Sequence, residues 1–261
     1  AHAAMVSVQV VAFPQAGVMR AGGAAMLDLI DAAVRAGADL VGGIDPCEVD
    51  RDPKGQLDGI FAIAEHRGVG IDIHLHEPGE MGLFTLQEIC GRTRAHGMEG
   101  RVTISHGFCL GAIAESKQKA AAEMMAAAGV SIVTHGGGSA PMPPLMLLRR
   151  AGVRVFCGND DIRDTWSPYG NADMLERAAI IGWREDLRRD DTLVELFAMV
   201  SSEGAGALGI ADHGIAPGHA ANFFTLPAEG VPEAIGAHPP RRMVFHAGRL
   251  VARDGVLRGQ G

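Results

Sequence analysis

The sequence has no paired cysteines, no long basic run and no long apolar stretch, and each absence removes a class of protein. Its four cysteines, Cys47, Cys90, Cys109 and Cys157, stand apart with no CxxC spacing. They read as small buried residues of a chain kept in a reducing cytosol, which sets the expected location as cytoplasmic. Basic residues are outnumbered, 23 against 31 acidic, for a formal charge of −8. That balance argues against nucleic acid or an anionic membrane as the main partner. No apolar run approaches the roughly 20 residues a membrane span needs. The opening AHAAMVSVQVV lacks the basic region of a secretory signal. It also lacks a starter Met and enters a β-branched run almost at once, so the chain is expected to begin partway into something longer.

What is present points to one α/β domain. The 261 residues are 47% hydrophobic, enough to bury a large core. The 36 glycines suit a fold with many tight strand–helix turns. Short β-branched runs recur at 7–13, 38–44, 70–75, 101–106, 130–135 and 153–160. They start roughly 30 residues apart, the period of a βα unit. Between them, 22–37, 83–97 and 111–129 carry apolar residues at helical spacing and end at Gly. A fourth helix is expected over 171–183, with Asn171 as a candidate cap. The strands are nearly continuous apolar runs, as in parallel sheets covered on both faces. After residue 205 the texture becomes short strands and turns, and RLVARDGVL reads as a hairpin at its Asp-Gly. The expected division is therefore 1–204, six βα units of a partial barrel, and 205–261, a small β segment. A closed barrel needs eight strands. The rival is a doubly wound sheet of six, but no Gly-rich phosphate loop follows any strand.

The ends of the strands gather the chemistry. They carry Gln15, Asp45, the trio His74, His76 and Glu77, then His106, His135, and Asp160 with Asp161. Barrel enzymes build their sites at such ends. In GIDIHLHEPGE (70–80) the two histidines share one side of a strand. They are either a pair of metal ligands, or one ligand with Glu77 moving protons beside it. Imidazoles and carboxylates together suit zinc or ferrous iron, and a catalytic metal lowers the pKa of its water. Metal-assisted hydrolysis is the reaction class this implies. No Lys or Ser/Thr follows Gly136–Gly138 in the register a phosphate cradle needs.

IDIHLHE, TISH and FCGNDDIRDTW, in that order on successive strands, resemble the amidohydrolase superfamily, and its cytosine deaminase-like branch in particular. VVAFPQAG and GIAPGHAANFFTLPAE extend the likeness over most of the chain. The resemblance implies a (β/α)8 TIM-barrel fold of which six units are present, the tail returning into a small β-sandwich. It implies one divalent metal, zinc or iron, with His74 and Asp160 as ligands. Glu77 would be the proton shuttle, His106 would contact the water or substrate, and Asp160 would double as general base. Gln15 would hydrogen-bond the ring, with Asp161 and Trp166 lining the pocket. The substrate class would be a cyclic amidine such as cytosine, another pyrimidine or an s-triazine. In that pattern His74 pairs with Glu77, and His76 stands where the deaminases carry Asp. The superfamily's first-strand HxH is not found, so the alternative is a silent or regulatory barrel piece. An unclosed barrel would also expose apolar edges, which makes a homo-oligomer a possible state.

Overall fold

A computed structural model of the chain describes residues 5–258. Six strands form one sheet in strictly sequential order: β1 (Val11–Ala12), β2 (Leu40–Ile44), β3 (Gly70–Leu75), β4 (Val102–His106), β5 (Val130–Thr134) and β6 (Val155–Cys157). Every pair from β1 to β5 is parallel. A doubly wound sheet reverses its order at a switch point. Here each strand lies beside its predecessor, which is the winding of a barrel, and the doubly wound alternative falls away.

The β-branched runs become strands where both faces are covered. Ile71, Ile73 and Leu75 are buried on one face of β3, while Asp72 and His74 share the other. β1 is far shorter than the expected 7–13. β2 begins only at Leu40, and Val10 meets it at its very start, its N–H donating to the Asp39 carboxylate at 2.7 Å. Among the described residues, those upstream of Val10 lie outside any strand, and Val6 and Val8 are exposed.

Helices α1 (Ala24–Arg35), α3 (Gly79–Ala95), α4 (Glu115–Ala127) and α6 (Met174–Arg184) occupy the four expected regions. The cap of α6 is Asp173, not Asn171. The Asp173 carboxylate accepts the N–H groups of Leu175 and Glu176, while Asn171 accepts the N–H of Asp173 itself. Helix α2 (Pro53–Arg67) is the helix that the βα period requires between β2 and β3; its bounds were not anticipated, although its ends are well marked. Asp52 caps Gly55 N–H at 2.8 Å, Pro53 opens the first turn and Gly68 closes the last in the left-handed region. A short α5 (Leu145–Arg150) precedes β6.

Contacts divide the chain into two compact units, the boundary falling inside β6. The first holds Gln9–Thr134 and Gly138–Val155, hence β1–β5 and α1–α5. The second holds the rest of the described chain. Within it lie α6, α7 (Asp190–Met199), α8 (Ser202–Ala207) and α9 (Val231–Ala237), of which the last three were not anticipated. It also holds an antiparallel sheet ordered β10-β9-β8-β7, from β7 (Phe223–Thr225), β8 (Met243–His246), β9 (Arg249–Arg253) and β10 (Val256–Leu257). The Asp-Gly hairpin joins β9 to β10, with both turn residues at positive φ.

Candidate active site

In the first unit, register sets the ring positions. Ile44, His74 and Ser105 lie at one level across β2, β3 and β4, and His106 stands opposite Leu75. The His74 and His106 rings are 5.0 Å apart, centre to centre. His76, one residue past β3, lies 5.7 Å from His74 and 4.5 Å from His106. Three imidazoles thus share one strand-end patch, with Phe13 packed 4.5 Å from His74.

A carboxylate orients the outermost ring. Asp45, buried at the end of β2, has Oδ2 2.7 Å from His76 Nδ1, and its Oδ1 accepts the His76 N–H at 2.6 Å. Asp45 and His106 both carry positive φ, rare for residues other than glycine and concentrated at functional sites. Below them, Ser105 Oγ donates to Asp72 at 2.7 Å, and burial pushes the Asp72 carboxyl above the usual range.

Glu77 is fully buried and each oxygen is engaged. Its Oε1 accepts Cys47 N–H at 2.6 Å and Glu48 N–H at 3.1 Å, and its Oε2 accepts the Thr85 hydroxyl from α3. Burial holds its carboxyl above the normal glutamate range, opposed by those hydrogen bonds. Such a group keeps its proton closer to neutral pH than an exposed glutamate does. Burial also pushes the thiols of Cys90 and Cys109 to about 12, which leaves no thiolate nucleophile there. Gln15 is exposed in the turn after β1.

In the second unit, Asp160 follows β6 by three residues and lies 3.5 Å from His135 Nε2. Arg177 donates to the His135 carbonyl at 2.8 Å, fixing that loop onto α6. Asp160 and Asp161 both have positive φ. Burial and the neighbouring carboxylates of Asp164 and Asp160 push Asp161 upward. Trp166 is 77% exposed, its N–H donating to Asp164 at 2.8 Å.

The structure therefore groups His74, His106 and His76 in one unit, and Asp160, Asp161 and His135 in the other. Sequence reasoning did not assign Asp45 to His76, Thr85 to Glu77 or His135 to Asp160. Asp45–His76 and His135–Asp160 join residues distant in the chain, and Thr85 reaches Glu77 from within α3 eight residues on, so no local pattern marks any of the three. The one available signal was position, since Asp45 and His135 stand at strand ends.

Residues 3–252 match the model of the Amidohydrolase family. The chain is 33% identical over 254 residues to N-isopropylammelide isopropyl amidohydrolase of Pseudomonas sp. (strain ADP), covering 97% of this chain and 62% of that protein. The crystal structure of N-isopropylammelide isopropylaminohydrolase from Burkholderia multivorans ATCC 17616 superposes with a TM-score of 0.95 at 45% identity, covering 98% of this chain and 65% of that one. The 5-methylcytosine deaminase from Klebsiella pneumoniae, liganded with 5-fluorocytosine, gives 0.87 at 25% identity, over 100% and 66%. The chain spans about two thirds of the length of these relatives.

Proposed function

This chain belongs to the amidohydrolase family, and from that premise we propose that it serves a metal-dependent hydrolytic deaminase acting on a cyclic amidine. The observation that carries the reading is the strand-end patch of His74, His106 and the Asp45-held His76. A patch of imidazoles on adjacent parallel strands needs a chemical reason, because a packed core is cheaper to build from apolar side chains.

The donor types fit one divalent cation, zinc or iron. His74 and Asp160 are its proposed ligands, with His106 beside His74. Bound there, the ion would polarise a water. Asp160 serves as general base, and His106 orients the water or the ring. Glu77 receives a proton and returns it to the departing nitrogen, a role its raised pKa supports. A C–O bond forms at the ring carbon, the C–N bond breaks, and ammonia or an amine leaves. Gln15 hydrogen-bonds the ring, and Asp161 and Trp166 line its pocket. Relatives named for N-isopropylammelide and 5-methylcytosine support an s-triazine or a pyrimidine as substrate.

The finer setting follows the same reading. Buried free thiols at Cys90, Cys109 and Cys157 suit a cytoplasmic protein. No helix among the described residues is long and apolar enough to cross a membrane. Exposed Val8 and Trp183 suit a homo-oligomer. The antiparallel sheet of β7–β10 supports 205–261 as the return to a small β-sandwich.

The test is amine or ammonia release from N-isopropylammelide, cytosine and 5-methylcytosine, with metal content measured on the same sample. Release that stops on chelation and returns with zinc or ferrous iron supports the reading. Absence of both metal and release in the protein would leave a silent barrel piece instead.

A further inference from the structure

The loop that carries Gln15 is anchored by a carboxylate the chemistry above does not use. Resting on that reading of Gln15, we propose that Asp50 is a positioning residue, fixing the Phe13–Arg20 loop so that Gln15 is presented to the ring substrate.

Asp50 is only 8% exposed. Its Oδ1 accepts Val18 N–H at 3.0 Å and Arg20 N–H at 3.1 Å. Its Oδ2 accepts Val18 N–H and Met19 N–H, both at 3.0 Å. Three consecutive amides of the β1 loop thus converge on one carboxylate of the β2 loop. Gln56, fully buried on α2, stands behind it. Its Nε2 donates to Asp50 Oδ2 at 2.6 Å and to Ile44 O at 3.0 Å, and its Oε1 accepts Ile44 N–H at 3.2 Å. Helix α2, the end of β2 and the Gln15 loop are thereby tied through one charged group.

The loop is shaped to receive it. Gly17 has φ of +89°, and a Cβ there would lie 2.2 Å from Asp50 Oδ1, so only glycine fits. Gly17 N–H also closes a turn onto Pro14 O at 2.8 Å, and Gln15 sits inside that turn. At the other end, Phe13 packs on His74. Gln15 is held between a residue touching the histidine patch and a residue pinned by Asp50. Burying a carboxylate is unfavourable unless charge-assisted hydrogen bonds replace its water. An apolar contact would close the loop without that cost, but several directional bonds select one backbone geometry, which a ring contact requires.

Asp50→Asn keeps the shape and turns an amide nitrogen toward N–H donors. With N-isopropylammelide or 5-methylcytosine, whichever the wild-type protein turns over, KM is expected to rise about tenfold with kcat within roughly twofold. Metal content stays unchanged, and amide hydrogen exchange at Val18, Met19 and Arg20 accelerates. Gln15→Ala is expected to raise KM similarly, and the double variant to be no worse than Gln15→Ala, because both remove the same contact. If Asp50→Asn fails to fold, Gln56→Met leaves the carboxylate in place, removes the donor behind it together with the two bonds to Ile44, and is expected to raise KM about threefold. Additive effects in the double variant, or a fall in kcat at unchanged KM, overturn the proposal. Turnover that ignores Gln15→Ala removes the ring contact and the proposal with it. No turnover by the metal-loaded wild-type protein overturns the deaminase reading itself.

Discussion

The strand ends of the first unit and the loop after β6 in the second carry the same kinds of side chain and treat them differently. Around β2–β4, three buried carboxylates are placed by directional bonds. Asp45 takes main-chain N–H groups and the His76 ring, Glu77 takes Cys47, Glu48 and Thr85, and Asp50 takes three amides in a row. In the 158–172 loop, Asp160 and Asp161 stand on left-handed backbone, neighbouring acids raise Asp161, and Trp166 is exposed. One region is a preorganised frame. The other is an acidic loop with positive-φ residues, in which Asp164 accepts the Trp166 and Ser167 N–H groups. The difference teaches that the histidine end is built by bonds between residues distant in the chain, whereas the acidic loop is held by its own local turns.

The largest expected effects break the frame's chemistry. His74→Ala removes a proposed ligand, and losing several kcal/mol of charge stabilisation lowers kcat/KM roughly 10³-fold or more, with metal content by elemental analysis falling in parallel. Asp160→Asn is expected to match it. A variant that retains both metal and rate would restrict the site to one region. Glu77→Gln keeps the metal and lowers kcat roughly 10²–10⁴-fold, the usual worth of a positioned proton donor. An unchanged kcat would leave Glu77 only as the strut between Cys47, Glu48 and Thr85.

Stability sharpens the contrast next. A Cβ on Gly82 would lie 2.3 Å from the Glu77 carbonyl and 2.6 Å from Cys109 Cβ. Gly82→Ala is therefore expected to cost about 1–3 kcal/mol in urea unfolding, the range for overpacking. The buried Glu77 also makes stability pH-dependent. Its folded pKa lies above the unfolded value, so its contribution is fully present below the unfolded glutamate range and is lost as pH rises through the folded value. Glu77→Gln is expected to flatten the fall in Tm over that window, read by thermal melts from acid to neutral pH. The smallest effect belongs to the loop. Trp166→Ala should leave stability within about 0.5 kcal/mol, as for other exposed sites, while raising KM for the ring substrate.

Much of the frame was legible because buried parallel strands impose β-branched runs. The expected 70–75, 101–106 and 130–135 match β3, β4 and β5 to within a residue at each end. β1 was overread, since alternation alone does not reveal that its partner starts at Leu40. α2 was implied by the βα period but left without bounds despite Asp52-Pro53 and Gly68, because its interior mixes Gly, Lys and acidic residues with its apolar ones. His74 and His106 could be found by position at strand ends. The partners that orient the site could not, because Asp45–His76 and Asp50 with Val18–Arg20 are meetings of separate loops and Thr85 is one polar residue inside α3.

The most direct test of the proposed histidine–carboxylate metal site is X-ray absorption spectroscopy of the zinc-loaded protein, beside His74→Ala. The account predicts a shell of nitrogen and oxygen only, at about 2.0–2.2 Å, with imidazole scattering that weakens in the variant. Sulfur at about 2.3 Å, or a spectrum indifferent to His74, would contradict it.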